Sequence, residues 1–255
     1  MDLSIVIPLY NESESIVELN SSINNVLSNS KINYEIIYID DGSKDNSWDK
    51  ILEISTNNSK IQGYKFLKNY GKSMALSAGF SSAKGNIVIT MDADLQDDPA
   101  EIKNLVEMLK NGWDLVSGWK KNRLDPLNKR IPSKIFNFVT RILTGVKIHD
   151  FNCGLKGYKK SVIKSINIYG GRHRYIPALA GQRKFKVTEI IVNHRARKFG
   201  STKYGGARFF HGFFDLITIL FLNRFNQQPL HLFGSFISGL ERRSLIKDNL
   251  LIVES

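Results

Sequence analysis

NIVITMDADLQDDP, residues 86–99, runs an apolar β-favouring segment straight into a cluster of acids. A short continuous apolar run suits a strand covered on both faces, as in a parallel sheet. Its acids then fall at the strand's carboxyl end, the edge where open α/β sheets bind ligands. Upstream, 3–9 is a second such strand and ends Pro8-Leu9-Tyr10-Asn11-Glu12. A third, 34–39, ends Asp40-Asp41-Gly42-Ser43, and 61–67 and 114–119 read as further strands. Helical spacing fills the gaps. One helix starts at Ser13 or Ser15 and runs to about Leu27, with Ile16, Leu19, Ile23 and Leu27 on one face. Others are expected at 45–54, at 73–83 (stopped by Gly85) and at 100–109. The βαβα order predicts a parallel sheet with helices on both faces.

Beyond Lys120 the character changes. Residues 120–147 hold eight basic residues and one acid. Within them Ile131, Ile135, Phe138, Val139, Ile142, Leu143 and Val146 recur at helical spacing, which predicts a basic amphipathic helix over 131–146. Such a helix either packs on its own core or lies in a membrane interface, and periodicity does not separate the two. An apolar stretch at 209–222 could form a second surface helix.

The 255 residues suffice for one α/β domain and a smaller appendage. A net charge of +12 favours a polyanionic partner: a phosphorylated substrate, an anionic membrane face or nucleic acid. We expect no nucleic-acid partner, because the basic residues have few interleaved stacking aromatics and no helix-turn-helix or zinc pattern occurs. The single cysteine, Cys153, rules out an intrachain disulfide and fits a reducing compartment. The N-terminus, MDLSIVIPLYNES, does not read as a signal peptide, and no apolar run reaches the 18 or so residues of a bilayer span.

Carboxylates gathered at one sheet edge repel one another unless a cation lies between them. Oxygen donors such as Asp92, Asp94 and Gln96 suit Mg2+ or Mn2+. A lone Asp-x-Asp is usually a solvated turn, and Asp40-Asp41-Gly42-Ser43 alone a helix cap. Their joint occurrence at successive strand ends points to a ligand site.

The segments IVIPLYNE, IDDGSKDNS, KNYGKSMAL, MDADLQDDP, HDFNCGLKGY, HRYIPALAG and NHRARKFGSTKYG, in that order, resemble the motifs of inverting family 2 glycosyltransferases. The later ones narrow the resemblance to polyprenyl-phosphate transferases of the bactoprenol glucosyltransferase and dolichyl-phosphate mannosyltransferase type. It spans roughly residues 1–233. It implies a GT-A fold, a mostly parallel Rossmann-like α/β sheet with helices on both faces, occupying 1–205, and a membrane-proximal helical segment at 206–255. Pro8, Tyr10, Glu12 and Asp41 match nucleoside-contacting positions. Lys72, Asp92 and Ser201 match donor-binding positions, and Asp92, Asp94 and Gln96 the metal-holding motif. Arg197 and Lys203 match a basic loop closing on phosphate, and Asp150 an acid near the reaction centre.

The resemblance implies transfer of a hexose, from a UDP-glucose-like donor by preference, to a polyprenyl phosphate at the cytoplasmic membrane face, with Mg2+ or Mn2+ as cofactor. A divalent ion and cationic side chains would stabilise the departing diphosphate. A phosphate acceptor is already ionised, so Asp150 would position groups; with a hydroxyl acceptor it becomes a base candidate. His149, His173, Cys153 and the tryptophans are expected to be structural. Relatives of this type usually continue into transmembrane helices, whereas the tail SFISGLERRSLIKDNLLIVES is too short and too charged to cross. Peripheral attachment, or a cytoplasmic protein lacking its anchor, is therefore expected. A transferase with a saccharide or other hydroxyl acceptor and an inactive nucleotide-binding remnant are the alternatives.

Overall fold

A computed structural model describes residues 1–28, 30–121, 127–196 and 198–199, the side chains of 127–132 excepted. The predicted surface helix at 209–222, and Arg197, Ser201 and Lys203, lie outside these residues.

The chain alternates strand and helix: β1 (Leu3–Leu9), α1 (Ile16–Ser28), β2 (Tyr34–Asp40), α2 (Ser47–Thr56), β3 (Ile61–Lys65), α3 (Lys72–Ser82), β4 (Ile87–Thr90), α4 (Glu101–Lys110) and β5 (Leu115–Trp119). Then follow α5 (Leu127–Thr144), β6 (Lys156–Lys159), α6 (Lys160–Ser165), a 3-10 turn (Arg172–Tyr175), α7 (Ile176–Gln182) and β7 (Val187–Ile191). The strands form one sheet in the order β3-β2-β1-β4-β6-β5-β7. β1 pairs in parallel with β2 and β4, and β2 with β3. β6 runs antiparallel to both β4 and β5. The sheet is thus mixed: the expected parallel half is present, and an antiparallel strand from the second half of the chain is wedged into it.

Strand periodicity explains the layers. Leu3, Ile5 and Ile7 of β1, with Ile36 and Tyr38 of β2, face a cluster completed by Ile16, Leu19, Ile23 and Leu27 of α1 and by Ile102, Leu105 and Leu109 of α4. The intervening Val6, Ile37 and Ile39 face the opposite cluster, with Ala75, Leu76 and Phe80 of α3 and Val162 and Ile163 of α6. Each fully buried Ile or Leu contributes about 1.5–3 kcal/mol, so both faces are fixed by burial.

The strand order reverses at β1: the chain moves to β2 and β3 on one side, then crosses to β4 on the other. The crevice at such a switch point, beyond the carboxyl ends of β1 and β4, is where an open sheet has room for a ligand.

Helix α5 takes the second of the two arrangements its periodicity allows, with much of its apolar face exposed. Its buried side chains include the polar Asn137 and Thr140, while Ile135, Phe138, Ile142 and Leu143 are exposed. Asn137 Oδ1 accepts a hydrogen bond from Phe151 N–H at 3.3 Å, and the Phe136 ring packs against Tyr175 with centroids 5.6 Å apart. The helix is held by a hydrogen bond to the loop beneath it, and Ile135, Phe138, Ile142 and Leu143 of its apolar stripe point outward.

Candidate active site

Four acid-bearing or basic segments converge at the switch point. The loops after β1 and β2 interlock. Asn11 N–H donates to Ser43 Oγ (2.8 Å), Glu12 N–H to Ser47 Oγ (2.9 Å) and Ser13 N–H to Asp45 Oδ2 (3.1 Å). In return Lys44 N–H donates to Asn11 Oδ1 at 2.8 Å. Asn11 adopts a left-handed φ of 52°, which Asn tolerates better than most residues. Gly42 has φ 74°, and a Cβ there would stand 2.6 Å from the Lys68 carbonyl carbon, so the turn requires glycine. Asp41 N–H donates to Leu9 O at 2.9 Å, so the segment carrying Pro8, Tyr10 and Glu12 runs alongside the end of β2.

Asp41 shapes the next loop. Its two carboxylate oxygens accept hydrogen bonds from Tyr70 N–H (2.7 Å) and Gly71 N–H (2.9 Å). Burial raises its pKa, outweighing those two bonds. This carboxylate ties the start of α3, and with it Lys72, to the end of β2.

After β4 the chain turns sharply. Leu95 is left-handed (φ 62°), a conformation that costs an ordinary L-residue about 1–2 kcal/mol. The turn folds Gln96 N–H back onto Asp94 Oδ1 at 3.2 Å, so the oxygens of these two residues share one short loop. Asp92 points elsewhere: Lys72 Nζ reaches its Oδ1 at 2.5 Å. Burial alone would raise the Asp92 pKa. The Lys72 ammonium and its hydrogen bond, helped by Lys120 and Lys156, outweigh this and hold the carboxyl at about 2. Gly154 makes the position possible, because a Cβ there would lie 2.4 Å from Asp92 Oδ2.

The second acid pair of MDADLQDDP is a brace that motif reading missed. Asp97 is buried, accepts Asp92 N–H at 3.2 Å and pairs with Lys120 at 2.8 Å. Burial would lower the Lys120 pKa, but Asp97 more than reverses that and raises it. Asp98 holds Arg195 at 2.8 Å, Arg195 N–H donates to Gln96 O at 3.0 Å, and Gln96 Nε2 lies 3.3 Å from His194 Nε2. The acidic turn and the beginning of the basic segment are therefore one connected structure.

Asp150 is 1% exposed; its Oδ1 accepts Asn152 N–H at 3.1 Å and its carbonyl accepts Ser117 Oγ–H at 3.2 Å. Burial pushes the neighbouring Cys153 thiol up to about 12, so it is no thiolate nucleophile. His149 lies at the surface against Glu189 and stacks on Trp119. His173, expected to be structural, lines the pocket beside Asp92 together with Pro8, Lys72, Asn152 and Lys156.

Among the described residues no three His, Cys, Asp or Glu side chains group to hold a metal ion. The hard oxygens of Asp94 and Gln96 suit Mg2+ or Mn2+ held jointly with substrate phosphates, which need only one or two protein carboxylates. They do not make a protein-only metal centre, and Asp92 is engaged by Lys72.

Fold and site thus define a nucleotide-type α/β sheet with carboxylates at its switch point. The profile described as glycosyl transferase family 2 matches residues 4–166. Dodecaprenyl-phosphate galacturonate synthase of Rhizobium johnstonii is 36% identical over 245 residues, covering 94% of this chain and 72% of the relative. Undecaprenyl-phosphate 4-deoxy-4-formamido-L-arabinose transferase of Aeromonas hydrophila subsp. hydrophila is 36% identical over 242 residues, covering 93% of this chain and 73% of the relative. Among solved structures, glucosyl-3-phosphoglycerate synthase from Mycobacterium tuberculosis, in complex with Mn2+, uridine-diphosphate-glucose and phosphoglyceric acid, superposes with TM-score 0.66 at 19% identity. That match covers 86% of this chain and 79% of the other. The chain belongs to glycosyl transferase family 2 and has a GT-A-like fold.

Proposed function

We propose that this glycosyltransferase moves a sugar from a nucleotide-diphosphate donor to a polyprenyl phosphate at an anionic membrane surface. The observation that carries the reading is the acidic Asp92–Gln96 turn at the β1/β4 switch point, joined on one side to Lys72 and on the other to the basic segment at 194–195. The acceptor class is supported by the two relatives, each named for a polyprenyl-phosphate product or acceptor. The membrane is supported by the outward apolar stripe of α5, flanked by Lys134 and Arg141. We assign 1–205 to catalysis and 206–255 to the membrane-proximal segment.

In this reading Pro8, Tyr10, Glu12 and Asp41 receive the nucleoside, Asp41 chiefly by fixing the loop at 70–71. Asp94 and Gln96, with Asp92, would hold Mg2+ or Mn2+ against the donor's diphosphate. The ion supplies positive charge that stabilises the departing phosphate. Lys72, released from Asp92, and Ser201 contact the donor, while Arg197 and Lys203 neutralise the leaving group. An ionised phosphate oxygen of the acceptor forms the new bond to the anomeric carbon as the bond to the nucleotide diphosphate breaks with its electron pair. No proton need be abstracted, and the buried Asp150 positions the loop at 149–154.

A UDP-hexose is the donor the motif resemblance favours. Galacturonate and 4-deoxy-4-formamido-L-arabinose belong in the same screen, because the relatives are named for them. The test is incubation of labelled nucleotide sugars with polyprenyl phosphate vesicles and Mg2+ or Mn2+. Organic-extractable label that EDTA abolishes is expected. Label appearing only on a water-soluble saccharide would support a hydroxyl acceptor, and no label from any donor would defeat the reading.

A further inference from the structure

Lys156 takes no part in the transfer chemistry proposed for this site. It opens β6, which is flanked on both sides by β4 and β5, and it is 4% exposed. Stripping water from an ammonium costs several kcal/mol, so buried lysines are normally paired with a carboxylate. Among the described residues Lys156 forms no salt bridge. Its ammonium donates to the Cys153 carbonyl. Burial is the largest influence on it and lowers its pKa; Cys153, Asp150 and Asp92 work against that, and Lys72 adds to it. A desolvated cation met by one neutral carbonyl, with carboxylates only at longer range, is a cost to the fold and a resource for a ligand.

The surroundings fit an anion. Lys156 lines a small pocket together with Lys72, His173, Asn152, Thr90 and Asp92. The one carboxylate in this group already pairs with Lys72. His173 is held by Ser73: its Nδ1 lies 2.9 Å from Ser73 Oγ, which also accepts His173 N–H at 3.2 Å. Ser73 follows Lys72 at the start of α3, so the imidazole and the Lys72 ammonium are set by one joint. The pocket lies between the acidic turn, through Asp92, and the loop bearing Asp150, through Asn152, Cys153 and Gly154.

We propose that Lys156, assisted by Lys72 and His173, binds an anionic oxygen of a reactant other than the nucleotide diphosphate: the phosphate of the acceptor or a carboxylate on the donor sugar. Both are oxyanions of similar reach, and the inference rests on the transferase reading above.

Calorimetric titration of the full chain with Mn2+ decides between the sources. The ligands are UDP alone, UDP-glucose against UDP-glucuronate, and farnesyl phosphate against farnesol. A charge-assisted hydrogen bond is worth about 1.5–3 kcal/mol, or about 10–100-fold in affinity. Lys156→Met should therefore weaken either farnesyl phosphate or UDP-glucuronate about 10–100-fold, while UDP, UDP-glucose and farnesol change less than about twofold. Lys156→Arg should keep most of the affinity. Loss confined to farnesyl phosphate identifies the acceptor, and loss confined to UDP-glucuronate identifies the sugar. Unchanged binding of both anions overturns the proposal, as does an equal loss for UDP or a uniform loss accompanied by a lower melting temperature. If Lys156→Met does not fold, the wild type still decides: a preference of at least about tenfold for the anionic member of one pair is required, and none in either pair overturns the proposal. The outcome is separable from that of the transferase reading, because these titrations need no turnover. Failure of every donor to label a lipid would defeat that reading and leave the binding test intact.

Discussion

Helices α4 and α5 are both amphipathic, yet they spend their apolar faces differently. α4 buries Ile102, Leu105, Val106 and Leu109 in the main cluster. α5 turns Ile135, Phe138, Ile142 and Leu143 outward and buries Asn137 and Thr140. Sequence periodicity reports that a helix has an apolar stripe and is silent on what the stripe meets. In α4 the stripe is an element of the fold. In α5 it is surface area available to a partner, and Asn137 is buried because it satisfies the Phe151 backbone in the loop bearing Asp150.

The largest expected effect sets the scale for function lost at no cost to the fold. Asp94→Asn should lower turnover at least about 100-fold, in the range seen when a charge-stabilising group is removed, with an unchanged melting temperature. Full activity in that variant would remove Asp94 from the site. The comparison proper is then tested from both sides. Leu105→Ala in α4 should cost about 2–5 kcal/mol of stability by chemical denaturation, because it opens a cavity in a packed core. Ile142→Ser in α5, at a site 63% exposed, should change stability by less than about 0.5 kcal/mol and yet reduce sedimentation with anionic vesicles. A comparable stability loss in both variants would erase the distinction. Lys134→Gln and Arg141→Gln should each weaken vesicle binding by about 1 kcal/mol, with a shallower salt dependence.

The smallest effect concerns Asp92, whose carboxyl is held at about 2 against an ordinary value of 3.8. Its ionised form is favoured in the folded state, so the stability it contributes is complete above about pH 4 and is lost as the pH falls through about 2. Lys72→Met should therefore be destabilising at neutral pH, with the deficit closing between pH 4 and pH 2. A deficit that does not vary with pH over that window would mean that Lys72 acts through packing alone.

Much of the sheet was readable in advance. β1 was expected at 3–9 and is Leu3–Leu9, and β4 was expected at 86–91 and is Ile87–Thr90. Buried strands write themselves as unbroken apolar runs, and caps and glycines mark where they stop. β6 and β7 were not foreseen. Lys156-Gly157-Tyr158-Lys159 carries a glycine and two lysines in four residues, a composition that reads as a loop. The lysine inside it was the available sign of something unusual, since a charge in a buried strand needs a reason. Asp97, too, stood in plain view within MDADLQDDP, but nothing local distinguishes a brace from a ligand.

By itself the sequence determined the strand–helix alternation, the acidic turns at the strand ends and the family, because these follow from side-chain periodicity and from residues adjacent in the chain. Tertiary structure alone decided that Lys72 meets Asp92, that Gly154 makes room for it, that β6 runs antiparallel between β4 and β5, and that α5 faces outward. Each depends on groups from 14 to more than 60 positions apart in the chain, such as Asn137 with Phe151 and Thr90 with Gly154. Their juxtaposition is set by which packing buries the most apolar surface while leaving the fewest polar groups unsatisfied, a property of the whole fold that no local window contains.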